Sequence, residues 1–325
     1  MNQNLADYAN LALYSSMAVL TLSMLAYAGY LAALVPSRAD ASDAKVAARE
    51  AVLVGDGVGA MAPTGEHPAY GVDPREPARA RKAAGMARTL GWLATALLVT
   101  AVAMRGIAVH RWPLGNMFEF GTFGSMLVLL FYFGLAARRD LRWLGLFITL
   151  PVLLVLGMAS TVWYTQASGV LPSLQSYWLV IHVTVATIAA SLFALGAATA
   201  GLYLWQARVE GEGKGSFLNR LPTSRVLERL TYSVHIAAFP LWTFAVIAGA
   251  IWARQAWGSY WNWDPKEVWS FVIWVVYAAY LHARATSGWS RSRATWVALA
   301  GFACIIINFG VVNVYFVSQH SYSGL

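Results

Sequence analysis

The chain has 325 residues, of which 58% are hydrophobic and only 12% charged, with a formal charge of +8. Its mean hydropathy of +0.54 excludes an ordinary soluble domain, a disordered chain and a coiled coil, all of which need more charge. A single cysteine, Cys304, excludes a disulfide scaffold, a CxxC redox pair and a cysteine-built metal site.

Apolar stretches of helix length lie at about residues 10–35, 89–109, 119–137, 141–163, 178–204, 232–254, 267–284 and 295–317. Each is close to the roughly 20 residues that a helix needs to cross a bilayer. The expected fold class is therefore all-α: a polytopic membrane protein of about eight transmembrane helices. Arg138, Arg139, Asp140 and Arg142 form the only break in the apolar run 119–163, which reads as a tight helical hairpin. The first stretch is too long for a signal peptide and lacks a basic start and a small-residue cleavage site.

Lys and Arg distribution sets the expected orientation. Alternate connections, Arg38 to Arg88, Arg138 to Arg142, Arg208 to Arg229 and Arg284 to Arg293, hold 19 of the 23 basic residues. The other side holds Arg105, Arg111, Arg254 and Lys266. The rich side is assigned to the cytoplasm and both termini to the outer face. Topology thus accounts for the positive charge, and no nucleic-acid partner is implied. Three regions follow: a first transmembrane helix (1–35), a flexible cytoplasmic loop (36–88) and a seven-helix membrane domain (89–325). The loop is rich in Ala, Gly, Pro and charge, too poor in large apolar residues to offset its ordering entropy. A membrane-surface helix around Ala41 to Val54 is the alternative for part of it.

The segment 257–269, between the sixth and seventh spans, reads WGSYWNWDPKEVW. Trp257 and Trp261 sit four apart and would share a face on a helical turn. Asp264 is placed to cap a helix that has Pro265 in its first turn. An interfacial aromatic belt would explain a single tryptophan. Trp257, Trp261, Trp263 and Trp269 within 13 residues, around an Asp-Pro-Lys-Glu turn, instead suggest rings in a fixed arrangement for a flat apolar ligand.

Of the six histidines, His67 falls in the loop and His110 at a span end. His182 falls about one turn into the fifth span from the outer side, and His320 follows the eighth span on that side. His235 and His282 fall near the inner ends of the sixth and seventh spans. An intramembrane ionisable group is a functional candidate by default. Two outward imidazoles beside a tryptophan platform suit axial ligation of iron in a porphyrin.

These residues carry a resemblance. WGSYWNWDPKEVW, with AAYLHAR (278–284), QSYWLVIHV (175–183), RWPLGNMFEF (111–120) and QHSYSGL (319–325), resembles the CcsA/ResC family of cytochrome c biogenesis proteins, system II haem-handling proteins that carry a WWD segment. The resemblance covers most of the chain outside the 36–88 loop. It implies a bacterial plasma-membrane subunit of a cytochrome c synthase, working with a ResB-like membrane partner, apocytochrome c and thiol-reducing pathway proteins. It implies haem b carried to the outer face and presented for thioether attachment to the CxxCH motif of the apocytochrome. By the same carry-over His182 and His320 are external axial ligands, and Trp257, Trp261, Trp263, Asp264 and Trp269 belong to the segment that cradles the macrocycle. His282 is one ligand of a separate inner haem site whose second ligand comes from the partner. Where the family often has Gly-Leu before the last histidine, this chain has Ser318 and Gln319.

A helix from Asp264 to His282 is about 27 Å long at about 1.5 Å per residue, so the inner and outer histidines cannot share one iron. His235 reads as a packing or hydrogen-bonded residue, with a second inner ligand as the alternative. Haem propionates need cations, and Arg111, Arg254 and Lys266 are the outward candidates. Lys266 reads as pairing with its neighbours Asp264 and Glu267. Asn116 and Glu119 read as caps of the third span, with a part in docking haem or partner as the alternative. Two other classes stay open: a haem transporter or chaperone without ligation activity, and a scaffold with a tryptophan belt and no cofactor.

Overall fold

The computed structural model describes residues 2–34, 76–169, 176–212 and 221–320. Among them there are eight long helices and no strand. They are α1 (Gln3–Ala33), α2 (Ala78–Val109), α3 (Met117–Ala136), α4 (Gly145–Thr161), α5 (Tyr177–Glu212), α6 (Ser224–Trp257), α7 (Pro265–Ala285) and α8 (Arg291–Ile306). A 3₁₀ turn, Arg142–Leu144, leads into α4, and α8 runs on through a π-helical turn, Ile307–Val312, to Asn313–Tyr315. With those turns counted into α4 and α8, all eight are long and apolar enough to cross a membrane, so the chain is a multi-pass helical membrane protein.

α2, α5 and α6 outrun their apolar windows. α2 begins at Ala78, inside the segment read from the sequence as a loop. Its first turns, ARARKAAGMAR, are rich in Ala, Arg and Lys, strong helix formers that need no apolar surroundings. The rest of that loop, with the surface helix considered at Ala41 to Val54, lies outside the described residues.

α1 and α2 pair antiparallel along a heptad seam. Buried α1 positions Ala6, Ala9, Leu13, Ser16, Leu20, Ser23 and Tyr27 alternate spacings of three and four, as do Ala80, Ala84, Ala87, Gly91, Ala94, Leu98 and Ala101 of α2. The seam is mostly small, which lets the backbones approach as membrane helices prefer. Ser16 and Ser23 each donate across it, to Ala94 O and Ala87 O, both at 2.7 Å.

These two helices join α3 and α4 in one apolar core, which also takes in parts of α5 and α6. A second core is built from α5, α6, α7 and α8. The tight turn between α3 and α4 is locked by Arg142, which grips Asp140 (2.6 Å) and Glu76 (3.0 Å). α5 and α6 are long antiparallel partners, tied by Ser176 to Gln255 (2.8 Å) at one end and Thr231 to Thr199 (2.9 Å) further along. Trp242 and Trp274 stitch α6 to α7 through their indole N–H groups, to Ser270 O (3.1 Å) and Thr243 Oγ1 (2.9 Å).

Candidate functional site

A cavity of about 160 Å³ opens where α3, α5, α6, α7 and the π turn of α8 converge. His182 and His320 both line it, with Trp252, Trp261, Lys266, Glu267, Asn308, Phe309, Phe120 and Asn116.

His182 sits in the first turns of α5. Its Nδ1 lies 2.7 Å from Ala245 O of α6, and a carbonyl can only accept, so Nδ1 carries the proton. Gly249, one turn on, makes the space: a Cβ there would fall 2.7 Å from the imidazole. His320 is held from the other side. Its Nδ1 lies 2.9 Å from Asp264 Oδ1, an acceptor when ionised, so the same tautomer is selected. In both rings Nε2 is left with its lone pair. A backbone carbonyl or carboxylate on Nδ1 is the arrangement that orients metal-binding imidazoles.

Asp264 does three things at once. It caps α7 by accepting from Lys266 N (3.0 Å), and Glu267 reciprocates by accepting from Asp264 N (3.1 Å), a capping box with Pro265 at the first helical position. Its Oδ2 accepts from Gln319 N at 2.7 Å. Burial pushes its carboxyl up, but hydrogen bonds from His320, Gln319 N and Lys266 N outweigh this and hold it below the ordinary carboxylate range. The two residues at the family departure also make contacts beside His320. Ser318 Oγ accepts from His320 N (3.1 Å), and Gln319 Oε1 accepts from Asn262 Nδ2 (3.3 Å).

The tryptophans divide. α6 ends at Trp257, where Gly258 adopts φ +85° as its left-handed cap. The chain then leaves helical geometry until Asp264, so Trp257 and Trp261 do not share a helical face; the spacing argument fails at that glycine. Trp257 packs edge-on against Trp252 and His320, with centroids 4.7 Å away in each case. Trp261 lines the cavity and packs on Trp263 and Phe271. Trp263 is 76% exposed and has φ +58°, costly for a bulky side chain. It is held there because Glu267 Oε2 accepts from the N–H groups on either side, Asn262 (2.8 Å) and Asp264 (3.1 Å). Trp269 is part-buried on α7 and does not line the cavity.

Trp252 escaped sequence reasoning. It is 1% exposed, stacks near-parallel with His182 (6.1 Å, 13°) and meets His320 edge-on (5.5 Å). It lies inside the sixth span, where a tryptophan gives no signal distinct from core.

Other expectations change. Lys266 does not pair with Asp264 or Glu267; its Nζ donates to Asn308 O (3.3 Å) and lies 4.7 Å from the centre of the Phe309 ring. Arg111 is not a free cation, for Glu119 claims it at 2.7 Å together with Arg105 at 3.1 Å. Asn116 does cap α3, accepting from Glu119 N at 2.9 Å. Glu119 is 0% exposed and also accepts from Gly115 N at 2.8 Å. Arg254 donates to Gly258 O.

His282 is exposed on α7 and does not line the cavity. α7 is unbroken from Pro265 to Ala285, which sets His282 about 27 Å along the helix from Asp264. His235 is sealed among Phe193, Tyr277 and Tyr280, its Nδ1 2.7 Å from Thr231 O.

Fold and site define a class: a multi-pass helical membrane protein with two oriented imidazoles and an indole wall at one end of the bundle. Residues 94–320 match the family model described as cytochrome C assembly protein. The cytochrome c biogenesis protein CcsA of Mesostigma viride is 30% identical over 260 residues, covering 72% of this chain and 85% of the relative. Its namesakes from Guillardia theta (33% identical, 72% and 84% covered) and Prochlorococcus marinus strain NATL2A (33%, 73% and 84%) match similarly. The chain belongs to this family, in its CcsA branch.

Proposed function

We propose that this protein serves cytochrome c maturation as the haem-handling membrane subunit of a cytochrome c synthase. Its relatives are named for cytochrome c biogenesis. In this reading haem b reaches the cavity, His182 and His320 take the two axial positions through Nε2, and the haem edge is offered to apocytochrome c. The observation that carries it is the pair of Nδ1 contacts, to Ala245 O and Asp264 Oδ1, which prepare both rings as ligands before any ligand arrives.

The donor set fits this group. Among the described residues His, Cys, Asp and Glu do not gather in threes, so a bare ion would lack ligands. Iron already held in a macrocycle needs only axial imidazoles. At about 160 Å³ the cavity is smaller than the roughly 300 Å³ at which enclosed small-molecule sites begin. A large flat ligand would therefore lie partly at its mouth, the placement that presenting an edge requires.

Haem supplies the iron and the two vinyl groups. Each thioether forms by adding a thiol S–H across a vinyl C=C, with no net redox change. The single cysteine, Cys304, is part-buried in α8, so both thiols come from the CxxCH motif of the substrate. The protein contributes orientation and proximity. In this reading the cavity opens on the outer face of a bacterial plasma membrane, an orientation that the basic-residue asymmetry supports. The exposed His282 serves a second, inner haem station completed by a ResB-like partner.

Absorption spectroscopy of the haem-supplied chain, alone and with such a partner, tests this. Wild type should show a six-coordinate bis-imidazole spectrum, and His182→Ala and His320→Ala should lose it and regain it with added imidazole. His282→Ala should lower haem in the partner complex while sparing the outer signature. An unchanged spectrum in both His182→Ala and His320→Ala would overturn the reading.

A further inference from the structure

Lys266 stands in an unusual place. A cation in the first turn of a helix faces the positive end of the helix dipole and gains nothing from it. Lys266 nevertheless lines the cavity with His182 and His320. Among the described residues it forms no ion pair; its contacts are Asn308 O at 3.3 Å and the Phe309 ring at 4.7 Å.

The π turn of α8 brings both of those contacts. Such turns cluster at functional sites, and this one places Asn308 and Phe309 on the cavity wall, with Phe309 stacked on Phe120 at 4.4 Å. The adjacent Glu267 does not neutralise the lysine. Its Oε2 is committed to two backbone N–H groups, and its buried Oε1 has no hydrogen-bond partner. Asn308 Oδ1 is likewise buried and unpartnered. The ammonium passes over both acceptors and keeps donors for something else. Of the other basic groups at this end, Arg105 and Arg111 are paired with Glu119, and Arg254 is exposed, donates to Gly258 O and does not line the cavity.

We propose that Lys266 is the anion receiver of the cavity, binding a carboxylate substituent of the flat ligand and so fixing its rotation about the axial line. An ammonium in a weakly hydrated site is costly until it meets such a charge. Two imidazoles alone leave a disc free to spin; a lateral charge contact decides which edge faces outward. This rests on the haem reading above.

The test uses the detergent-solubilised full chain, titrated separately with haem b and with its dimethyl ester and followed by Soret absorption. Wild type should prefer the free acid. Lys266→Gln, which keeps a donor for Asn308 O, should lose affinity for haem on the order of ten- to a hundredfold and none for the ester. Lys266→Arg should retain the preference. Equal affinity of wild type for both ligands, or an equal loss of both in Lys266→Gln, overturns the assignment. Should Lys266→Gln fail to fold, loss of the preference in folded Lys266→Arg overturns it as well. Binding of neither ligand by wild type would instead sink the haem reading and this assignment together.

Discussion

Asp264 and His320 are 56 positions apart in sequence and 2.9 Å apart in space. One carboxylate starts α7, fixes the last described histidine and holds Gln319 N. Helix geometry and ligand geometry are thereby coupled: the segment that carries the tryptophans cannot move without moving the imidazole.

Asp264→Asn separates those duties. The amide oxygen still caps α7, since Asn and Asp are equivalent at that position, but its NH2 group cannot accept from Gln319 N as Oδ2 does, so thermal stability should fall by about 1–3 kcal/mol. The charge behind His320 is gone, however, and loss of such a partner commonly weakens metal binding by about 10- to 100-fold. Haem titration should show that loss with His182 ligation intact. An unchanged affinity would mean that the carboxylate anchors Gln319 and does nothing for the ligand.

Gly249→Ala probes the opposite imidazole. The added methyl would sit 2.7 Å from the ring of His182, against a helix backbone that cannot yield, so the ring must turn and release Ala245 O. Alanine is the better helix former, which keeps α6 intact. The expected result is normal expression and helicity with weakened haem retention, read as a lowered Soret-to-280 nm ratio after purification. Full retention would show that His182 tolerates displacement.

Much of this architecture was legible in the amino-acid order because the bilayer imposes a simple rule on hydropathy. The eight spans, the Arg138–Arg142 turn and the Asp264–Pro265 cap follow from length, charge and local capping chemistry. What was not legible depends on which face of a helix meets which neighbour. Trp252 looks like any apolar span residue until α5 and α6 pair. Lys266 looks destined for Asp264 and Glu267 until folding turns its Nζ to Asn308 O. Ser318 and Gln319, where the family pattern departs, look neutral until folding sets Ser318 against His320 N and Gln319 against Asn262 and Asp264. The helical start at Ala78 was hidden for another reason: an apolar window sees only the part of a helix that lipid covers.

Glu119 carries a structural prediction that the haem spectrum should not feel. Its carboxylate is wholly buried between Arg105 and Arg111, and the two guanidiniums also reach Thr165 O (2.7 Å) and Ser168 O (3.2 Å). Arg105 Nη1 and Arg111 Nε already lack partners. Glu119→Gln removes the only negative charge of the cluster, and breaking a buried pair typically costs about 3–5 kcal/mol. A large drop in melting temperature, with normal haem coordination in the surviving folded fraction, is expected. A variant as stable as wild type would show that water reaches the cluster.

His235 supplies the sharpest negative control. Its ring is 0% exposed, its Nδ1 meets Thr231 O at 2.7 Å and its Nε2 has no partner, so in tautomer and free nitrogen it resembles His182. Its surroundings say otherwise. Tyr280 and Tyr277 close over it at 4.9 and 5.4 Å, and Gly196 abuts it so closely that a Cβ there would come within 2.3 Å. No flat macrocycle reaches Nε2 without parting α5, α6 and α7. His235→Leu nearly conserves volume, trades ring contacts for aliphatic ones and deletes an unpartnered buried acceptor, opposing effects that should leave stability within about 1.5 kcal/mol. Haem stoichiometry and spectrum of the partner complex should match wild type. Loss of one haem equivalent in His235→Leu, with the outer bis-imidazole signature preserved, would instead make His235 an inner ligand and require those three helices to open.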